Sequence, residues 1–289
     1  MDTRDEIREF LTSRRAKITP QQAGLPVFGG TRRVPGLRRE EAAMLAGVSV
    51  DYYTKMERGD LRGVSEGVLE ALARGLGLDE AERAHLFDLA RASGPISTAR
   101  RRHGAAQRVR PSVQRIIDAM THAPALVQNR RGDVLAANRL GYALYSEMDL
   151  APGRPANHAR FVFLDQRSER FFVEWDRVAD DTVAMLRTEA GRNPQDRNLS
   201  DLVGELSTRS DQFRTRWAAH NVRAHQTGAK RYHHPVVGDL TLTYEILELA
   251  ADPGLDLLAL SAEPGTPSDD ALNLLGSWAA TTEHAADQA

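Results

Sequence analysis

The sequence predicts two folded parts of different class. Residues 1–93 read as an all-α domain of about five helices, and residues 111–276 as an α+β domain with a small antiparallel sheet and helices. Three observations carry this. Apolar residues recur at helical spacing through the first third of the chain. After Pro111, helical runs give way to alternating, strand-like ones. Between the two, residues 94–110 hold Gly94-Pro95, small residues and Arg100, Arg101 and Arg102 with no large apolar periodicity, as an Arg-containing linker would. Residues 277–289 are expected to form a tail.

In the first part, Ile7, Phe10 and Leu11 make one face of a short opening helix. Residues 19–34 hold two prolines and three glycines and read as a loop. Helical patterning resumes at Leu37. Ser65 can cap a helix with Val68, Leu69, Leu72, Ala73 and Leu76 on its apolar face, and Gly77 can end it. Asp79 and Glu82 have capping-box spacing before the next helix.

In the second part, a short helix is expected at 112–120. Strands at 125–128 and 134–136 flank a turn at 129–133, and Asn138 is placed to cap the following helix. Long helical patterns cover 171–186, 199–207 and 212–226. Three strand-like runs follow, at 231–237, 240–249 and 255–262. Gly238-Asp239 reads as a tight hairpin and Asp252-Pro253-Gly254 as the second turn. Leu242, Tyr244 and Ile246 alternate with Thr241, Thr243 and Glu245, so that strand has one buried face.

Composition narrows the function. The chain has 289 residues and no cysteine, which excludes disulfides, thiolate metal sites and thiol nucleophiles. No apolar run is long enough to span a bilayer, and the charged N-terminus is unlike a signal peptide, so no membrane association and a cytoplasmic location are expected. Residues 1–110 hold 20 Lys and Arg against 15 Asp and Glu; residues 111–289 hold 18 against 25. A basic first part beside an acidic second part suggests that only the first meets a polyanion. Lys17, Lys55 and Lys230 are the only lysines.

Residues 39–58 have the spacing of a helix-turn-helix. Ala43 is small where two steeply crossed helices would touch, and Gly47 follows at the turn. Ala42, Ala46, Val48, Tyr53 and Met56 fill the core positions, and Ser49 can cap the second helix. Tyr53 is larger than the aliphatic residue usual there. Arg38, Arg39, Ser49, Val50, Asp51, Tyr52, Thr54, Lys55 and Arg58 are the candidate DNA contacts, Val50, Asp51, Thr54 and Lys55 lying near the N-terminus of the reading helix.

Leu37–Gly59 resembles the Xre-type, Cro/repressor-like helix-turn-helix of MmyB-like transcription regulators. The resemblance continues through residues 124–138, 202–207, 213–217 with His220, His234-Pro235, Val237-Gly238, 240–247 and 264–268, covering about residues 5 to 276. Where that family often carries tryptophan, this chain has Gly132 and Ala137. The resemblance implies a PAS-like second domain that binds a small apolar ligand such as a fatty acid.

An acyl ligand needs an apolar lining and a polar group for its head. The candidates are Asn138, Trp175, Leu206, Phe213, Arg216, Trp217, His220 and Tyr244. Arg216 can hold a carboxylate and His220 can donate to one; Asn138 reads first as a helix cap and only second as a ligand contact. His220, His225, His233 and His234 match no zinc spacing, and no phosphate loop or Gly-x-Ser-x-Gly nucleophile is present. The expectation is a one-component regulator, binding operator DNA as a homodimer, with no catalytic role, metal or cofactor beyond an acyl ligand. The competing reading makes the second domain a dimerisation or protein-interaction module.

Overall fold

The computed structural model describes residues 3–25, 36–94, 108–148, 156–219 and 227–286. The chain divides into two compact units. One comprises Met1–His103, Leu186–Gly204 and Thr215–Ala224; the other comprises Gly104–Met185, Glu205–Arg214 and His225–Ala289. The Arg-rich part of the expected linker lies outside the described residues.

In the first unit, α1 (Thr3–Lys17), α2 (Arg39–Leu45), α3 (Val50–Glu57), α4 (Glu66–Gly75) and α5 (Glu80–Ser93) enclose an apolar core containing Ile7, Phe10, Leu11, Tyr53, Met56, Leu72 and Leu86. The helix ends follow local chemistry. The Ser65 hydroxyl accepts from the Val68 amide at 3.4 Å, and Asp79 and Glu82 form a reciprocal capping box at 2.8 and 3.2 Å. Ala43 is buried between α2 and α3, and Gly47 turns the chain at φ +65°, a conformation costly for any residue with a Cβ. Tyr53 is accommodated in full: its ring is buried, with no partner for its hydroxyl among the described residues.

The second unit is built on a sheet of β1 (Ala125–Asn129), β2 (Val134–Ala137), β3 (Thr227–His234), β4 (Gly238–Glu248) and β5 (Leu255–Ser261), all neighbours antiparallel. The spatial order is β2-β1-β5-β4-β3. The hairpin β1–β2 therefore joins the meander through β1 and β5, with Leu126 opposite Leu258. Against one face lies α6 (Pro111–Asp118), whose Val113 and Ile117 pack with Val127, Ala136, Leu255 and Leu257. α7 (Arg139–Leu144), α8 (His158–Leu164), α9 (Arg167–Phe171) and the first part of α10 (Trp175–Arg192) supply further core residues.

Three expectations change. β3 begins at Thr227 rather than Arg231, because its ladder with β4 extends to the Thr227–Glu245 pair. The β3–β4 turn is made by residues 235–237, since His234 pairs with Gly238 and His233 with Asp239, placing Gly238-Asp239 in the strand. Finally, α13 (Pro267–Ala286) continues through most of the segment read as a tail, anchored by buried Leu272, Leu275 and Ala279.

α10 contributes to both units, residues 175–185 to the second and 186–192 to the first. The remaining helices are α11 (Arg197–Arg209) and α12 (Asp211–Ala218). Within the first unit the buried Arg187 guanidinium ion-pairs with buried Glu6 of α1, donates to the Trp217 carbonyl, and lies 4.1 Å from the Trp217 ring centroid. That contact ties α10 and α12 to α1.

Candidate functional site

Two sites follow from the two units. In the first, the Ser49 hydroxyl accepts from the Tyr52 amide at 3.1 Å and starts α3. Tyr53, Met56 and Glu57 face inward. Val50, Asp51, Lys55 and Arg58 are exposed, and Tyr52 and Thr54 are half-buried. Asp51, Thr54, Lys55 and Arg58 line a polar hollow together with Arg4 and Asp60. Lys55 lies 3.6 Å from the Asp60 carboxylate, which also receives Arg62 at 3.0 Å.

Arg39 is drawn into the scaffold. The buried Glu57 carboxylate accepts from Arg39 and, at 2.6 Å, from Arg15, which also donates to the Leu37 carbonyl at 2.8 Å. The hydrogen bond to Glu57 raises the Arg39 pKa. One carboxylate thus links α1, the start of α2 and the end of α3, and sets the attitude of the exposed helix face. Arg38 stands at the N-cap of α2, its amide donating to Glu41 at 2.6 Å.

In the second unit, an aromatic wall runs from α8 to β3. Phe172 contacts His158 and Tyr232 at ring-centroid distances of 5.9 and 5.7 Å, and the Tyr145 and Tyr232 hydroxyls share a hydrogen bond of 3.2 Å. Beside this wall lie side chains only half-buried although they point inward: His158, Met185 and Lys230. Lys230 stands opposite Leu242 on the sheet face that buries Tyr232, His234 and Leu240. Its ammonium is 4.9 Å from the Tyr244 ring centroid. The ring reaches it across Gly228, where a Cβ would come within 3.1 Å of the tyrosine.

Burial pushes the Lys230 ammonium down to about 8, with Asp181 opposing and Arg177 reinforcing the shift. Burial, and secondarily Lys230, pushes His158 down to about 3, so its imidazole is neutral. Burial also raises the Tyr244 hydroxyl. Arg177 stands at the outer edge of this group, donating to the Ala229 carbonyl at 3.0 Å.

The residues expected to hold a ligand do not all gather there. Tyr244 does. Asn138 is buried, and its side chain is fully engaged by the protein. Its oxygen accepts from Ala125 and Gly141 at 3.0 and 2.7 Å, and its amide donates to the Ile117, Met120 and Ala123 carbonyls at 3.1, 2.9 and 2.8 Å. Trp175 donates to the Val162 carbonyl at 3.1 Å, while Phe213 packs on Phe163 at a 5.1 Å centroid distance. Leu206 is buried. Arg216 and Trp217 belong to the first unit, and His220 lies outside the described residues.

Both nitrogens of buried His234 are occupied: Nε2 donates to the Ala143 carbonyl at 3.0 Å and Nδ1 accepts from the Val236 amide at 3.2 Å. Among the described residues no group of three or more His, Asp or Glu side chains is arranged to hold a metal ion. Nor is any helix among them long and apolar enough to cross a membrane.

Lys230, His158 and Asp181 are absent from the sequence-derived candidates. The available signal was the inward alternation of Lys230, Tyr232 and His234. A strand taken to begin at Arg231 leaves Lys230 outside that alternation.

Comparison with known families gives two matches. The family described as MmyB-like transcription regulator ligand binding domain matches residues 109–275, more than half of the chain. The family described as helix-turn-helix domain matches residues 8–86. No curated protein matches the chain.

Proposed function

The chain belongs to the MmyB-like transcription regulators, and from that premise we propose a one-component regulator of the Xre type that senses a small hydrophobic ligand, a fatty acid, and binds operator DNA as a homodimer. A ligand-responsive DNA-binding regulator is the function its two domains share. The observation that carries the finer reading is the half-buried group around Lys230: an inward-facing cation among aromatic and apolar side chains suits an amphipathic molecule. On the DNA side, the exposed face of α3 supports major-groove reading by Thr54 and Lys55. Regulation follows if the ligand binds the DNA-competent and DNA-incompetent states with unequal affinity.

Denaturing mass spectrometry with lipid extraction of the freshly purified protein tests the ligand class. A stoichiometric acyl carboxylate is the expected result. A protein that carries no lipid and binds none of a series of C8–C18 carboxylates added to it contradicts the reading.

A second reading, in which the C-terminal domain serves for dimerisation alone, has one observation in its favour. Leu274 and Trp278, one turn apart on α13, are 60% and 37% exposed. A helix face carrying a large aliphatic and an aromatic residue suits a self-complementary interface.

A further inference from the structure

This inference rests on the second domain taking an apolar ligand. We propose that Lys230 is the head-group site of that ligand and selects a singly charged anion, a carboxylate on an apolar body. Lys230 shares a face with Tyr232 and His234, so its side chain is directed toward the core side of the sheet, where it is half-buried. Three donors arrive there with the ammonium. Among the described residues none of them meets a hydrogen-bond acceptor or a carboxylate at ion-pair distance; the only close partner is the face of Tyr244. A half-buried ammonium whose donors meet no protein acceptor is costly to keep. A bound carboxylate would use them.

The surroundings define which anion. His158 and Tyr244 stay neutral near pH 7, and Phe172 and Met185 are apolar, so none of these repels an acyl chain. Asp181 on α10 lies within electrostatic range of Lys230 and disfavours a second negative charge on the ligand. Arg177, also on α10, adds positive charge at the edge. Gly228 leaves room for the Tyr244 ring, whose face the Lys230 ammonium meets at 4.9 Å.

The groups facing Lys230 also fix a pH dependence. They are Arg177 and Asp181 from α10, His158 from α8 and Tyr244 from β4. Of the shifts resolved among these neighbours, His158 is displaced far below and Tyr244 above the range from pH 7 to 9.5, leaving Lys230, at about 8, to lose its charge within it. Affinity for a carboxylate must fall as pH rises through that range.

The test uses the delipidated full-length protein with dodecanoate, 1-dodecanol and dodecyl phosphate, measured by calorimetry below their micellar concentrations. Dodecanoate should bind at least tenfold more tightly than dodecanol at pH 7. Lys230→Met should level that preference while keeping dodecanol affinity within about twofold. In the unmodified protein, dodecanoate affinity should fall about tenfold from pH 7 to 9.5 with dodecanol unchanged. This last measurement needs no variant to fold. A carboxylate preference that survives Lys230→Met, or that is absent or pH-independent in the unmodified protein, overturns the assignment to Lys230. Tighter binding of dodecyl phosphate overturns the single-charge selection. Binding none of the three overturns the underlying reading of an apolar ligand site, and the inference falls with it.

Discussion

Lys230 carries a cost that a purely structural residue would have no reason to bear. Its ammonium is held near 8 in the fold against an ordinary value of 10.5, so the unfolded chain binds that proton more tightly. The penalty is present in full below pH 8 and is relieved as pH rises from 8 toward 10.5. Lys230→Met should therefore stabilise the ligand-free protein at pH 7 by roughly 1–3 kcal/mol, as when other buried charges are replaced by apolar groups of similar volume. The advantage should shrink at pH 10. Thermal melting at the two pH values measures it; a variant less stable than the parent at pH 7 contradicts the account. Glu57 shows the opposite arrangement, a buried carboxylate fully used by Arg15 and Arg39. Neither role was legible in the sequence. Lys230 is one of only three lysines in an arginine-rich chain, but a lone lysine before a strand reads as solvated. Which arginines reach Glu57 depends on packing between segments distant in sequence.

At the scale of elements, local chemistry decided most of what was foreseen. The caps at Ser49, Ser65, Asp79 and Asn138 and the turn at Gly47 each depend on residues within four positions of one another, and each forms. Strand ends and sheet order depend on partners instead. Nothing near residue 227 announces a strand; Glu245, its partner across the ladder, supplies the pairing. The docking of β1 on β5 joins segments more than 120 residues apart, beyond the reach of periodicity. The candidate ligand residues scattered for the same reason: Trp217 and Arg216 share a helix with Phe213, yet the compact units separate them. For α3 the local reading leads directly to a prediction. Thr54→Ala with Lys55→Ala should weaken operator binding by at least tenfold, and Lys55→Ala alone should lower the salt dependence by about one unit of slope. Neither should alter dodecanoate binding. A salt-controlled mobility shift with unchanged affinity removes α3 from the interface.

At the scale of the whole molecule, α10 holds Arg177 and Asp181 beside Lys230 and, further along, Arg187 against Glu6 and Trp217. The same helix thus contributes residues to both compact units. The homodimer is tested separately: Leu274→Glu with Trp278→Glu should shift sedimentation toward the monomer and leave dodecanoate affinity intact, and an unchanged sedimentation coefficient removes α13 as the interface. The most direct test of the central claim is the affinity of the full-length protein for a duplex selected from a random-sequence pool, measured by fluorescence anisotropy at fixed salt with and without saturating dodecanoate. The expected result is an inverted repeat with half-sites about one helical turn apart, whose affinity changes at least fivefold with the ligand in the unmodified protein and much less in Lys230→Met. The same affinity with and without ligand, in a protein shown to bind dodecanoate, would contradict it.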